Sequence, residues 1–154
     1  MQIVCANQIE LWQKNDIFCI MLLRNLGGVR MRLAVRLAIE TRNSIEALKE
    51  EIKSTGEFDN LRLTNGFVIN QAYLDCKKIT NENKWDIVLK SGSQVEERNA
   101  PKTRTDLQVN QTTIDGIAEL KKILPQYTET SYVTTSFVIR MIVRGSLLVR
   151  RGKI

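Results

Sequence analysis

Two stretches of the chain alternate with a period of two residues, at positions 32–38 (RLAVRLA) and 104–110 (RTDLQVN). This period is typical of a strand with one face on a core, so we predict a strand of about seven residues at each place. The side chains expected on the core face are Leu33, Val35 and Leu37 in the first strand and Leu107 and Val109 in the second. The residues between them are then expected to point outward.

A helical pattern follows each predicted strand. Apolar residues recur every three or four positions, which places them on one face of a helix. They are Ile45, Leu48 and Ile52 after the first strand and Ile114, Ile117, Leu120 and Leu124 after the second. The candidate N-caps are Thr41, Asn43 or Ser44 in the first helix and Thr112 or Thr113 in the second. Pro125 disfavours helix at the preceding residue and predicts the end of the later helix.

These patterns belong to an internal repeat. The segment 45–52 (IEALKEEI) returns as 117–124 (IAELKKIL), at an offset of 72 residues. The segment 63–69 (LTNGFVI) returns as 133–139 (VTTSFVI), at an offset of 70. A loop between the helices absorbs the difference. Each repeat is therefore predicted to contain a strand, a helix, a turn and a second helix.

The repeat divides the chain into an N-terminal extension, two units and a linker between them. The bounds are 1–29 for the extension, 30–79 for unit 1, 80–102 for the linker and 103–154 for unit 2 with its basic C-terminal tail. The second helices of the units are predicted over about 64–79 and 134–149. We expect a short helix in the extension, and a strand or helical turn where the linker carries Trp85, Ile87, Val88 and Leu89.

The composition adds weak information about partners. The chain has 154 residues, 43% of them apolar, and 23 Lys plus Arg against 17 Asp plus Glu. The resulting net charge of +6 favours a polyanionic partner. The longest apolar run, at 17–23, is too short to cross a bilayer, which needs roughly 20 residues, so we expect a cytoplasmic protein without membrane association.

Candidate catalytic chemistry is scarce. The chain has no histidine, the commonest general base, and neither the glycine pair at 27–28 nor the segment 91–93 (SGS) matches a phosphate-binding loop. Its three cysteines are Cys5, Cys19 and Cys76, and their wide spacing predicts buried hydrophobes, with neither a disulfide framework nor a zinc site. We therefore expect no enzymatic activity, no cofactor and no metal.

The order strand, helix, helix, found twice over about two thirds of the chain, resembles the ribbon-helix-helix fold of the MetJ, Arc and CopG repressors. The resemblance implies a mostly helical protein with a two-stranded antiparallel ribbon that enters the major groove of double-stranded DNA. Because both strands come from one polypeptide, it also implies a pseudo-dimer formed by a monomer. The tandem arrangement is similar to the single-chain double ribbon-helix-helix protein of a T-DNA transfer system. Further oligomerisation on DNA is compatible with it.

The resemblance, combined with the strand alternation, predicts which residues face DNA. The expected base-reading positions are Arg32, Ala34, Arg36, Arg104, Asp106, Gln108 and Asn110, and Ala38 also points outward in this pattern. Arginine pairs well with guanine, and glutamine or asparagine with adenine. Asp106 is open to three interpretations: it accepts from a cytosine amino group, or it orients Arg36 or Arg104. The two strands differ in these residues, so a perfectly palindromic site is not required.

The predicted starts of the second helices supply candidate phosphate contacts. They are Thr64, Asn65 and Gly66 in unit 1 and Thr134, Thr135 and Ser136 in unit 2. In the resembled family this helix end holds the DNA backbone, because its free amides and positive dipole end attract phosphate. Ordinary capping is the alternative role for the same residues, and the two roles can coexist.

The expected role is transcriptional regulation, plasmid or mobile-element maintenance, or accessory work in conjugation and DNA transfer, with the protein associated with the nucleoid. The alternatives are an exposed sheet edge protected by charge, and a protein-interaction adaptor of the antitoxin type that does not read DNA.

Overall fold

The computed structural model describes residues 30–92 and 101–154. Two strands and five helices follow one another in the described residues, with a single 3₁₀ turn at Leu124–Gln126. The elements are β1 (Arg30–Ala38), α1 (Ile39–Ser54), α2 (Asn65–Asn81), α3 (Trp85–Lys90), β2 (Lys102–Asn110), α4 (Gln111–Ile123) and α5 (Thr135–Arg150). This part of the chain is therefore mostly helical with one small sheet. Our expectations for residues 1–29, including Cys5 and Cys19, lie outside it.

The sheet consists of β1 and β2 alone, paired antiparallel over nine residues each. Both strands are two residues longer at the start than the alternation predicted. Their pairing joins the two halves of the chain, because neither half contains a second strand of its own in the described residues. We call this pair of strands the ribbon.

Each strand runs directly into a helix, and this makes all of the predicted caps of α1 and α4 wrong. Helix α1 begins at Ile39 with Ala38 as its N-cap, so Thr41, Asn43 and Ser44 lie within it. Helix α4 begins at Gln111, and Asn110 is its N-cap. No loop separates strand from helix, so the cap falls on the last residue of the strand.

The predicted apolar faces of α1 and α4 are confirmed. Five residues of the two helices are fully buried or nearly so, namely Ile45, Leu48, Ile52, Ile117 and Leu120, whereas Ile114 is half-buried. Leu124 is also buried, in the 3₁₀ turn that follows α4. The predicted bounds of α2 and α5 also agree with the structure to within two residues. In the linker, the predicted helical turn is α3, and its Trp85 and Val88 are buried.

Helices α2 and α5 pack against each other at the centre of the molecule. Cys76 of α2 is buried there, as predicted, and its thiol donates to the Ile142 carbonyl oxygen at 3.1 Å. Asp75 accepts from Ser146 Oγ at 2.6 Å and from Arg150 Nε at 2.7 Å. This contact joins the two halves of the chain a second time, on the side of the helices.

Candidate nucleic-acid interface

The ribbon has a buried face and an exposed face, with the assignment predicted from the alternation. Val35, Leu37, Leu107 and Val109 are buried and Leu33 is half-buried. The exposed side chains on the other face are those of Arg32, Ala34, Arg36, Arg104, Asp106 and Gln108. Six of the seven predicted base-reading positions thus share one accessible surface, which we call the outward face.

Two residues that the alternation predicted on the outward face, Asn110 and Ala38, are not exposed there. Asn110 is half-buried, and its Oδ1 accepts the Thr113 backbone amide at 2.9 Å as the cap of α4. Its own backbone amide donates to Asn70 Oδ1 at 3.2 Å. Ala38 is only 7% exposed. Both are the last residues of their strands, where the turn into the following helix carries the side chain away from the outward face.

The strand register groups the outward side chains into three cross-strand pairs. Arg32 lies opposite Gln108, Ala34 opposite Asp106, and Arg36 opposite Arg104. Ala34 and Asp106 are also equivalent in the repeat, at the offset of 72 residues. The outward face therefore has a centre at this pair and two ends, one holding Arg32 with Gln108 and the other Arg36 with Arg104.

Asp106 interacts with the arginines on either side of it unequally. Its carboxylate accepts from Arg32 Nη2 at 2.5 Å, whereas Arg104 Nε lies 4.0 Å away. The hydrogen bond from Arg32 is the main reason that the pKa of Asp106 is lowered, and the same bond raises the pKa of Arg32. Of the two arginines we expected Asp106 to orient, Arg36 makes no such contact and Arg104 only the longer one.

The N-terminus of α2 lies beside one end of the outward face. Thr64 caps this helix by accepting the Phe67 amide at 3.2 Å. A methyl group on Gly66 would meet the carbonyl oxygen of Gln108 at 1.9 Å, so the helix start and β2 are in direct contact. A groove of about 440 Å³ follows this junction, lined in part by Asn65 and by Arg30.

The N-terminus of α5 lies beside the opposite end. Thr134 caps it in the same way, accepting the Phe137 amide at 3.2 Å. A groove of about 220 Å³ runs from Thr134 and Ser136 to Arg36 and Lys102 of the ribbon. Each predicted phosphate-binding segment is therefore adjacent to one end of the outward face. Thr64 and Thr134 are exposed, Asn65, Thr135 and Ser136 are partly covered, and Gly66 is buried.

Several cations that were not predicted at these helix starts lie beside them. Arg30, Lys49 and Arg62 line the groove at α2, and Lys102 and Arg140 line the groove at α5. Arg30 and Lys102 are equivalent in the repeat, so extending the alternation by two residues would have found them. No sequence pattern predicts that Lys49 lies here. Its ammonium donates to Asn65 Oδ1 at 3.1 Å because α1 lies beside the start of α2.

The basic C-terminal residues are not a free tail. Arg150 is held by Asp75, and Arg151 Nε donates to Glu51 Oε1 at 2.9 Å. Their charges are thus partly neutralised by α2 and α1, and neither residue lines the two ribbon grooves described above. These pairs were not predicted, because they join residues that are 75 and 100 positions apart in the sequence.

No helix in residues 30–92 or 101–154 is both long and apolar enough to cross a membrane. The same residues contain no cluster of three or more His, Cys, Asp or Glu side chains suited to a metal ion. Comparison of the chain with protein-family models, with curated proteins and with solved structures found no match.

Proposed function

We propose that this protein binds double-stranded DNA as two ribbon-helix-helix units fused in tandem, with the outward face of the ribbon in the major groove. The observation that carries the proposal is the composition of that face. It combines arginine with glutamine on one exposed, regularly spaced surface, flanked at both ends by a capped helix N-terminus. The proposed biological role is transcriptional regulation, or maintenance or transfer of a plasmid or other mobile element.

The dimensions of the ribbon fit this use. Two strands about 4.8 Å apart form a unit that the roughly 12 Å wide major groove admits. Arg32 and Arg36 are four residues apart, or about 13 Å along the strand, which corresponds to about four base pairs at 3.4 Å each. The outward side chains are therefore long enough, and spaced widely enough, to contact a short run of base edges.

The flanking helix starts would position the ribbon. Backbone amides at the starts of α2 and α5 carry partial positive charge and favour phosphate oxygens. Arg30 and Lys102 lie next to these starts and add full charges. Such contacts would hold the DNA backbone on both sides of the groove, and the outward side chains would then select the sequence.

The covalent link between units has a thermodynamic consequence for this function. A ribbon made of two separate chains is lost when the chains dissociate, whereas here both strands belong to one polypeptide. The linker makes strand pairing an intramolecular step with an effective concentration on the order of millimolar. We therefore propose that a single chain is the DNA-binding unit and that it persists at nanomolar concentration.

The proposal is tested by measuring the affinity for labelled duplexes over a series of salt concentrations. Each neutralised phosphate contributes about −0.9 to the slope of log K against log salt, and we expect a slope of about −3 or steeper. A duplex sequence enriched from a random pool should bind more tightly than its shuffled version. The double variant Arg36→Ala with Gln108→Ala should lose this preference while unfolding at the same temperature.

Lys122→Ala is the matched control, because it removes an exposed cation from the far end of α4. It should leave both the preference and most of the salt slope intact. A flat salt slope and no enrichment of any duplex would contradict DNA binding, and would favour the adaptor that binds a protein partner instead.

A further inference from the structure

The two ends of the outward face differ in charge, although they occupy equivalent places in the repeat. Arg36 corresponds to Gln108, and Ala34 corresponds to Asp106, at the offset of 72 residues. Only the Arg32 and Arg104 positions carry the same residue in both strands. We call the end with Arg36 and Arg104 the arginine end, and the end with Arg32 and Gln108 the glutamine end.

Asp106 increases this difference. Asp106 lies at the centre of the outward face, but its carboxylate accepts a hydrogen bond from Arg32 Nη2 at 2.5 Å, whereas Arg104 Nε is 4.0 Å away. One of the N–H donors of Arg32 is therefore already used by Asp106, and the carboxylate partly neutralises the charge of the guanidinium group. At the arginine end, no hydrogen bond or ion pair between described residues holds the Arg36 side chain. Arg36 and Arg104 are opposite one another in the register and both are exposed, so this end of the face presents two guanidinium groups.

This arrangement bears on which bases each end would accept. Guanine offers two acceptors in the major groove, O6 and N7, and arginine is the side chain that pairs with both. Glutamine matches adenine, which offers N7 as acceptor and its amino group as donor. The arginine end is complementary to base edges that offer only hydrogen-bond acceptors. The glutamine end is complementary to base edges that offer both an acceptor and a donor. A DNA site with identical halves would leave one end poorly matched.

We propose that the protein binds a directional DNA site in one orientation, with guanine under the arginine end and adenine under Gln108, and that Asp106 and Gln108 set the direction. This inference rests on the proposed DNA binding and adds to it a specific asymmetry of the target. Asp106 acts by positioning Arg32. Gln108 contacts the base itself.

The test is to make the outward face symmetric and to select sites again. The double variant Asp106→Ala with Gln108→Arg gives both strands arginine, alanine and arginine at the three outward positions. The opposite variant, Ala34→Asp with Arg36→Gln, gives both strands arginine, aspartate and glutamine. All four positions are exposed, so both variants should keep the fold, and circular dichroism and thermal unfolding check this.

The wild-type protein should enrich a non-palindromic site from random duplexes. Each symmetric variant should enrich a palindrome, rich in guanine for the first and containing the adenine half twice for the second. Replacing the adenine half of the wild-type site by a second guanine half should weaken wild-type binding about 5- to 150-fold, the range expected for one good base contact. The first symmetric variant should show the reverse preference.

Glu119→Arg is the matched control, because it adds the same two positive charges as the first variant on the exposed side of α4. It should keep the non-palindromic wild-type site. A palindromic site for the wild-type protein would overturn the inference while leaving DNA binding intact, and so would symmetric variants that keep the wild-type site. Failure of every protein to enrich any site would instead overturn the proposed function.

Discussion

The starts of α2 and α5 are built alike but meet different surroundings. In each, a threonine accepts the amide three residues later at 3.2 Å. The second position of the helix is Gly66 in α2 and Ser136 in α5. A Cβ atom at Gly66 would collide with the backbone of β2, whereas Ser136 already carries one beside Arg36. One helix start is therefore pressed against its strand, and the other leaves room for a side chain.

The contact between α2 and α5 shows the same kind of difference. Asp75 of α2 binds Ser146 and Arg150 of α5, but its equivalent in the repeat is Gly145, which has no side chain to return the contact. The contact at Asp75 is thus supplied by one half only, because the equivalent position in the other half carries no side chain. No equivalent contact in the repeat replaces it, so its removal should weaken the packing of the two halves against each other.

The largest loss of stability is expected from substitutions in the core under the ribbon, where equivalent positions of the two halves are both apolar and buried. Leu37 and Val109 are equivalent in the repeat and are 1% and 0% exposed. Leu37→Ala should lower the free energy of unfolding by about 2 to 5 kcal/mol and Val109→Ala by about 1 to 3 kcal/mol, measured by urea denaturation. The protein that stays folded should keep its DNA site preference.

Replacing the neighbouring outward residues serves as the control for that prediction. Arg36→Ala with Gln108→Ala should change the free energy of unfolding by less than about 0.5 kcal/mol. If this pair unfolds the protein while Val109→Ala removes only DNA binding, the two faces of the ribbon are the reverse of those described.

Gly66→Ala probes the tighter of the two helix starts. The new methyl group would lie 1.9 Å from the Gln108 carbonyl oxygen, so helix and strand must separate. We expect a loss of about 1 to 3 kcal/mol in thermal or urea unfolding, the usual effect of overpacking a close contact. Ser136→Ala, at the equivalent position, should cost less than about 0.5 kcal/mol. Equal losses would mean that both helix starts pack against the ribbon in the same way.

Asp75→Ala removes the contact that only one half supplies. Ser146 Oγ is buried and would lose its acceptor, while Arg150 would lose its carboxylate. We expect a loss of about 1 to 2 kcal/mol, in the lower part of the range for an unsatisfied buried donor, because the arginine still reaches water. Asp75→Asn retains an acceptor for Ser146 and should cost less. If both variants have the same urea denaturation midpoint as the wild-type protein, the contact does not stabilise the fold.

The smallest effect is expected on the pKa of Asp106, the carboxylate at the centre of the outward face. The bond from Arg32 lowers the pKa of Asp106, so the stabilisation it supplies is present above the carboxyl group's unfolded pKa and is lost as the pH falls through the folded one. An NMR titration of the Asp106 carboxyl carbon should therefore have its midpoint below the ordinary aspartate value. Arg32→Ala should raise this midpoint more than Arg104→Ala does. An equal rise in the two variants would contradict the unequal contact.

Much of the fold follows from local patterns that the sequence displays. The alternation at 32–38 and 104–110 predicted the strands and their faces, because a period of two assigns every residue to one side. Thr64 and Thr134 were predicted at the helix starts because each precedes an apolar helical run. These features depend on neighbours in sequence, and so a single sequence suffices to find them.

The features that were missed depend on neighbours in space. The caps of α1 and α4 were placed too late, since nothing in the sequence shows that a strand enters a helix without a loop. Asn110 was assigned to the outward face for the same reason. The partner of Asp106 could not be chosen from sequence either, because the register that brings Arg32 close depends on how the whole ribbon pairs. Long-range pairing thus decides the details of the candidate site.

Methylation interference on an enriched duplex decides whether the outward face contacts the major groove. Dimethyl sulfate modifies guanine N7 in the major groove and adenine N3 in the minor groove, so one experiment probes both grooves. We predict that guanine N7 methylation prevents binding at discrete positions, and that Arg36→Ala abolishes interference at one of them but Lys122→Ala at none. Interference from adenine N3 alone would contradict binding in the major groove, and a guanine pattern unchanged by Arg36→Ala would contradict a base contact by Arg36.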